Sequence, residues 1–291
     1  MDWIVTLTPE VSDDPFAALA SPPAGAAVVE LRLDLFPNLD IRSAISACPL
    51  PVLVTLRSCA EGGRGPDDPA TRAEILGAAR DAGAILIDLE HARDGRLINA
   101  LGLGPEQVVL SWHDPSGTPD DLEHVAAQLL ESPARMVKLI PTTHSLADLE
   151  QVLALHRRFN RSRPHNRRLL TFAMGTVGIA SRYLAPLLGP PLSYASWRDG
   201  AAAAPGQLTV AQLEAVIGHL AGPPRRLFGV VGRDVSRSLS PALHCAGYRA
   251  LDLPDILIPV SIPDETELIE VFTFLGDTLF DRIGLCLLYT S

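Results

Sequence analysis

The run Arg135-Met136-Val137-Lys138-Leu139-Ile140-Pro141 decides how this chain is read. It is apolar, partly β-branched and bounded by Pro133 and Pro141, which reads as a buried strand with a lysine at its centre. Lysine is almost never fully buried without a partner or a purpose. A desolvated ammonium gives up its proton readily, so Lys138 is a candidate nucleophile.

Strand-length apolar runs recur at 3–7, 27–33, 52–56, 85–89, 108–112, 136–140, 169–174 and 192–197. Helical periodicity lies between them. Leu122, Val125 and Leu129 share one face behind Thr118-Pro119; Leu146, Leu149, Val152 and Leu153 share another behind Ser145, with Asp148 placed for a capping box. A last amphipathic segment begins at Thr209 and carries Val210, Leu213, Val216, Ile217 and Leu220. Near-continuous apolar strands separated by crossover helices imply a parallel sheet covered on its outer side, and this many units over about 220 residues is the size of an α/β (β/α)8 TIM barrel. A doubly wound open sheet is the alternative. It normally carries a glycine-rich turn after its first strand, where this chain has Thr8-Pro9-Glu10.

Forty-seven per cent apolar residues suffice for a full core. A formal charge of −10 with no Lys/Arg block argues against nucleic acid as a partner, while a few local arginines still permit a small anionic substrate. Cys48, Cys59, Cys245 and Cys286 are widely spaced, with no metal-binding or disulfide pattern, and fit a reduced, cytoplasmic protein. The N-terminus enters a strand without a signal-like region, and no stretch reaches the length of a membrane helix, so no membrane partner is expected.

In such a barrel the active site gathers at the C-terminal ends of the strands. Those ends read Glu30-Leu31-Arg32-Leu33-Asp34, Arg57 to Gly63, Asp88-Leu89-Glu90, Ser111-Trp112-His113-Asp114, Lys138 and Met174, with Arg182 soon after. Each has an ordinary structural reading: His113 as a hydrogen-bonded strand end, Arg57 with Glu61 and Glu30 with Arg32 as ion pairs, Asp88 and Glu90 as caps or barrel struts, Trp112 and Met174 as pocket wall. Convergence at one end of successive strands favours chemistry. A neutral Lys138 could add to a ketone, and His113 could then move a proton at the neighbouring carbon with the iminium as electron sink. An ordinary lysine is neutral about 4 times in 10,000 at pH 7, so burial beside arginines would be functional. Arg57 and Arg182 would hold a carboxylate.

Taken together, Glu30-x-Arg32-x-Asp34, Arg57-x-x-x-Glu61-Gly62-Gly63, Ser111-Trp112-His113-Asp114, Lys138, Ser181-Arg182 and Ala204-Pro205-Gly206-Gln207 resemble type I 3-dehydroquinate dehydratase over about residues 1–220. The resemblance implies a (β/α)8 barrel, usually a homodimer, with no metal or diffusible cofactor. It implies that Lys138 forms an imine with 3-dehydroquinate, that His113 is the proton-transfer group, and that Glu61 orients His113. Arg182 and Gln207 would bind the carboxylate, Glu30, Arg32 and Arg57 the ring hydroxyls, and Met174 would pack near the imine. An aldolase-like Schiff-base lyase, or an inactive barrel kept as a scaffold, are the rival readings.

After Gly222-Pro223-Pro224-Arg225-Arg226, which reads as a linker, the strand-like run 227–232 and Ser236 to His244 resemble the opening of shikimate dehydrogenase, with Ser238 and Ser240 as its shikimate-binding serines. The expected organisation is a dehydratase barrel over 1–222 and an incomplete shikimate dehydrogenase substrate-binding domain over 227–291, from a truncated bifunctional enzyme. No lysine follows Lys138 and no dinucleotide fingerprint is present, so neither NADP binding nor hydride transfer is expected. A partial sheet with apolar residues such as Phe272, Phe274, Leu287 and Leu288 is expected to be poorly covered.

Where the dehydratase family often has a serine before Ala-Pro-Gly-Gln, this chain has Ala203. A hydrogen bond to a charged group contributes about 1.5–3 kcal/mol, so Ala203→Ser is expected to lower KM for 3-dehydroquinate about tenfold or more. An unchanged KM in steady-state assays would refute this.

Overall fold

A computed structural model describes residues 1–160, 168–190, 192–264 and 266. Its strands β1 (Asp2–Leu7), β2 (Ala26–Arg32), β3 (Val52–Thr55), β4 (Leu86–Glu90), β5 (Val108–Asp114), β6 (Met136–Pro141), β7 (Leu169–Thr171) and β8 (Leu192–Ser196) form one parallel sheet in the order 7-6-5-4-3-2-1-8. Because β8 pairs with β1, the sheet rolls into a barrel, unpaired only between β7 and β8 among the described residues. The alternation of strands and helices predicted this barrel, and the open doubly wound sheet is not what forms.

The period-2 alternation of the strands sorts the interior into layers. Ile4, Val28, Leu53, Leu86, Val109, Met136 and Leu170 meet at the bottom as one apolar cluster. Two residues further along the same faces stand Thr6, Glu30, Thr55, Asp88, Ser111, Lys138, Phe172 and Tyr194. The next step brings Arg32, Arg57, Glu90, His113 and Met174 to the mouth. An apolar floor thus carries a polar upper half.

Helices wrap the outside, and their start signals act as read. Ser145 and Asp148 cap Leu146–Leu155 reciprocally, and Thr209 and Gln212 do the same for Val210–Ile217. The helix Leu122–Glu131 differs from expectation at its start: Thr118 does not cap it but donates its hydroxyl to the Thr142 carbonyl, 2.9 Å away. The seventh strand ends at Thr171, short of the apolar run 169–174, although the Met174 amide still reaches the Pro141 carbonyl (2.9 Å); between them the Ala173 amide donates to Ser181 Oγ (2.8 Å).

Beyond the linker, β9 (Arg226–Gly232), the helix Ser240–Ala250 and β10 (Asp255–Ser261) form a βαβ unit whose strands pair in parallel. This corrects the expectation of a poorly covered tail for its described part. Leu227, Val230, Val231, Ile256, Ile258 and Val260 share one core with Leu184 and Leu187 of the helix Ile179–Leu188 and with Leu213 and Val216 of Val210–Ile217. The reason lies in the helix Ile179–Leu188, buried at every position from Ile179 to Leu187; an outer barrel helix apolar on all sides needs a second layer. Phe272, Phe274, Leu287 and Leu288 lie outside the described residues. Ala221, Gly222 and Pro223 of the linker are exposed. Proteolysis there is expected to leave two fragments that still co-elute in size exclusion, and separate elution would show the shared core too weak to hold them.

Candidate active site

The upper half of the barrel encloses a cavity of about 300 Å³. Glu30, Arg32, Arg57, Glu61, His113, Lys138, Met174, Arg182 and Gln207 all line it. The motifs read from separate strand ends therefore converge on one space. Ser238 and Ser240 do not; they sit close together in the turn before Ser240–Ala250, where the Ser240 amide donates to Ser238 Oγ at 3.3 Å.

Arg57 is the hub. Its Nη1 donates to Ser111 Oγ (2.9 Å), Glu61 Oε2 (3.1 Å) and Glu90 Oε1 (3.1 Å), and its Nη2 to Asp88 Oδ1 (2.8 Å). Burial works against its charge, but Asp88, Glu61, Glu90 and Glu30 outweigh this and hold it above the ordinary arginine value. So many bonds leave Arg57 little capacity for a ligand hydroxyl. The loop after it folds back tightly: Gly65 donates its amide to the Arg57 carbonyl (2.7 Å), and a Cβ on Gly63 would collide with that oxygen. Gly62 beside it has φ +82°.

Lys138, held at the centre of β6, points Nζ to Asp88 Oδ2 (3.4 Å) and lies 4.0 Å from Glu30 Oε1. Burial pulls its ammonium below the ordinary lysine value, and Asp88 and Glu30 partly offset this. Glu30 is itself fixed by hydroxyl donors, Thr6 at 2.6 Å and Thr55 at 2.7 Å. Arg32 pairs not with Glu30 but bidentately with Asp34, at 2.8 and 2.7 Å.

His113 Nδ1 lies 2.9 Å from Glu61 Oε2, which also accepts the His113 backbone amide at 3.1 Å. Burial, with Arg57, Lys138 and Arg32 nearby, drives the imidazole well below its usual value and keeps it neutral. Burial also pushes the Glu61 carboxyl up to about 8, with Glu90 and Asp88 adding to the rise against Arg57. The cluster holds more carboxylates than cations, and Glu61 takes up the proton.

Arg182 faces the cavity from the helix Ile179–Leu188. Its Nη2 donates to the Pro205 carbonyl (3.2 Å), its Nε has no partner, and its guanidinium carbon lies 4.6 Å from the centre of the Phe172 ring. Among the described residues no carboxylate pairs with it, and burial alone lowers it to about 9. A buried arginine with spare donors is a receptor for an anion. Gln207 pins the loop above, accepting the Ala203 amide (2.8 Å) and donating to Thr6 Oγ1 (3.3 Å).

Sequence reasoning missed Phe172 and Tyr194, which wall the cavity. Their signal was present, since both fall in phase with the inward residues of β7 and β8, but in a strand an aromatic residue reads first as packing. Among the described residues no cluster of metal-ligating side chains occurs, and no helix is long and apolar enough to cross a membrane.

The sequence profile of the Type I 3-dehydroquinase family matches residues 5–222. The chloroplastic bifunctional 3-dehydroquinate dehydratase/shikimate dehydrogenase of Arabidopsis thaliana is 27% identical over 86% of this chain and 42% of its own length. The 3-dehydroquinate dehydratase of Dehalococcoides mccartyi strain 195 is 35% identical over 65% of this chain and 84% of its own. Among solved structures, the dehydroquinate dehydratase and shikimate dehydrogenase from S. pombe AroM superimposes with a TM-score of 0.62 at 26% identity, over 98% of this chain and 56% of that one. The chain thus spans well under two thirds of the two-activity proteins and most of the single-activity one.

The proton on Glu61 has a measurable consequence. Its folded value, about 8, is raised above that of an ordinary glutamate, so the stability it contributes is full below the ordinary value and is lost as pH rises through 8. Relative to wild type, Glu61→Gln is expected to gain stability between pH 5 and pH 8 in denaturant titrations, and a pH-independent difference would show that Glu61 is ionised throughout.

Proposed function

The chain belongs to the type I 3-dehydroquinase family, and we propose that it converts 3-dehydroquinate to 3-dehydroshikimate and water through an imine on Lys138. The observation that carries this is the arrangement in one cavity of a buried lysine, a neutral histidine held by a carboxyl group, and an arginine with no carboxylate partner among the described residues. The reaction belongs to the shikimate pathway of aromatic amino acid biosynthesis, the pathway of the bifunctional and pentafunctional relatives.

In this reading the substrate carboxylate meets Arg182, with Gln207 closing the loop above it. The neutral Lys138 amine adds to the ketone carbon, and the carbinolamine oxygen leaves as water, giving an iminium. His113 takes a proton from the adjacent carbon, and the released pair runs into the C=N bond to form an enamine. The enamine expels the ring hydroxyl, which leaves as water with the proton His113 returns. Water then hydrolyses the conjugated iminium and restores the lysine, so the net change is the loss of one water. The imine is the electron sink throughout, and we assign no metal or diffusible cofactor.

Glu61 sets the histidine tautomer: once it gives up its proton, as it does when pH rises through about 8, it accepts from Nδ1–H and frees Nε2 as the base. Asp88 and Glu30 aim Lys138. Arg57 holds the carboxylates in place, and Arg32 and Met174 complete the wall. The assembly is a homodimer, as is usual for the family. Residues 1–222 form the dehydratase, and Ser238 and Ser240 belong to the substrate end of a shikimate dehydrogenase unit beginning at 227.

Borohydride reduction with 3-dehydroquinate followed by peptide mass analysis is expected to place the adduct on Lys138. Lys138→Ala should lose both adduct and dehydroshikimate absorbance while still binding substrate. Arg182→Ala should form the adduct with KM raised about 10- to 150-fold, from a charge-assisted hydrogen bond of about 1.5–3 kcal/mol. An adduct formed without dehydroshikimate absorbance would favour the aldolase-like reading; no adduct and no turnover, an inactive barrel.

A further inference from the structure

Tyr194 stands inside β8 in register with Ile4 of β1, 5% exposed, and its ring lies beneath the functional nitrogen: Lys138 Nζ is 4.1 Å from the ring centroid. The ring of Phe172 lies 6.4 Å away at 55°, and the Arg182 guanidinium sits over it. The two aromatic residues therefore bridge the seam where β7 and β8 do not pair, and each carries one of the cations the proposed reaction needs. Such a pair spaces the imine nitrogen from the carboxylate receptor.

We propose that Tyr194 is a positioning residue for Lys138, whose aromatic face, and not whose hydroxyl, holds the lysine nitrogen in place and stabilises it as a cation, in the ammonium and then in the iminium. The proposal rests on the imine assignment to Lys138. The negative face of the ring attracts a cation most strongly where water is excluded. The hydroxyl, by contrast, is buried with no hydrogen-bond partner. Burial, reinforced by Glu30 and Asp88, lifts the phenol well above its ordinary value and keeps it neutral. A neutral, occluded hydroxyl has no route to a ligand in the cavity, whereas the ring face is already in contact with the reacting group.

In chemical terms the ring acts on the charged states. Addition of the amine to the ketone and loss of water leave a protonated imine, whose positive charge on nitrogen the ring and the two carboxylates meet together. Removal of the α-proton neutralises that nitrogen in the enamine, and expulsion of the hydroxyl restores the charge. The face of Tyr194 thus favours the two iminium states on either side of the enamine, and these are the states borohydride reduces.

The test compares borohydride trapping of 3-dehydroquinate across the pH range, read by mass at Lys138, in wild type and three variants. Tyr194→Phe keeps the face and removes the unpaired hydroxyl; its trapping and kcat are expected within about twofold of wild type. Tyr194→Leu should trap about tenfold less at pH 7, with the pH midpoint for modification of Lys138 by an amine-selective reagent moved downward, because the ammonium has lost its ring. Tyr194→pentafluorophenylalanine, which keeps the shape of the ring but withdraws charge from its face, should behave as the Leu variant does while unfolding at the same temperature as the Phe variant. That last comparison stands even if the Leu variant fails to fold. Equal trapping by the fluorinated and Phe variants, or loss of trapping in Tyr194→Phe, would overturn the proposal. An absence of any Lys138 adduct in the wild type would instead overturn the imine assignment itself.

Discussion

The guanidinium of Arg57, 4% exposed at the mouth of the barrel, donates at once to Glu61, Asp88, Glu90 and Ser111, so the ends of β3, β4 and β5 meet on a single cation. Burying such a charge costs several kcal/mol, which only well-placed carboxylates offset. The dependence runs outward from there. Asp88 is held by Arg57 and in turn holds Lys138; Glu61 is held by Arg57 and in turn holds His113. The proposed nucleophile and proton-transfer group therefore share one anchor.

The barrel makes this arrangement affordable by stacking its layers. Below the charged residues lies an apolar floor of Ile4, Val28, Leu53, Leu86, Val109 and Met136, which excludes water from beneath the lysine. Outside the barrel, the βαβ unit of β9 and β10 buries the outer face of the helix that carries Arg182. Arg182, the proposed carboxylate receptor, is thus carried on a helix packed on both sides. Its helix faces the cavity through Arg182 and the C-terminal layer through Leu184 and Leu187, so the second unit takes part in the packing that positions the first unit's site.

Much of this was legible in the sequence because period 2 is strict. Once the apolar runs are taken as strands, Lys138, His113, Glu30 and Arg57 have to face inward, and their common end follows from the parallel sheet. The partners were not legible, because pairing depends on which oxygens are already occupied. Arg32 pairs with Asp34, two residues on, while Glu30 receives the hydroxyls of Thr6 and Thr55. Just past β7 the Ala173 amide goes to Ser181, a partner that no local pattern announces. Tyr194 was hidden by its type, since nothing in one sequence separates a ring that packs from a ring that carries a cation. The covered tail left a trace that was readable: Ile-Ala-Ser-Arg-Tyr-Leu-Ala-Pro-Leu-Leu has no solvent face once Arg182 is turned inward.

The surroundings of Lys138 look contradictory if the resting amine is taken as what they serve. Burial lowers its ammonium toward the neutral form that addition requires, while Asp88 and Glu30 work in the opposite direction. The contradiction resolves when the whole cycle is considered, because the amine is needed neutral only for the moment of attack. In the proposed reaction the iminium that follows is an electron sink only while its nitrogen keeps its proton, and that charge must be held in a dry cavity until the α-proton has moved. Preorganised carboxylates and an aromatic face cost no reorganisation when that charge appears. A site built only to make lysine neutral would bind the nucleophile well and the intermediate badly; this one is complementary to the charge that develops after attack.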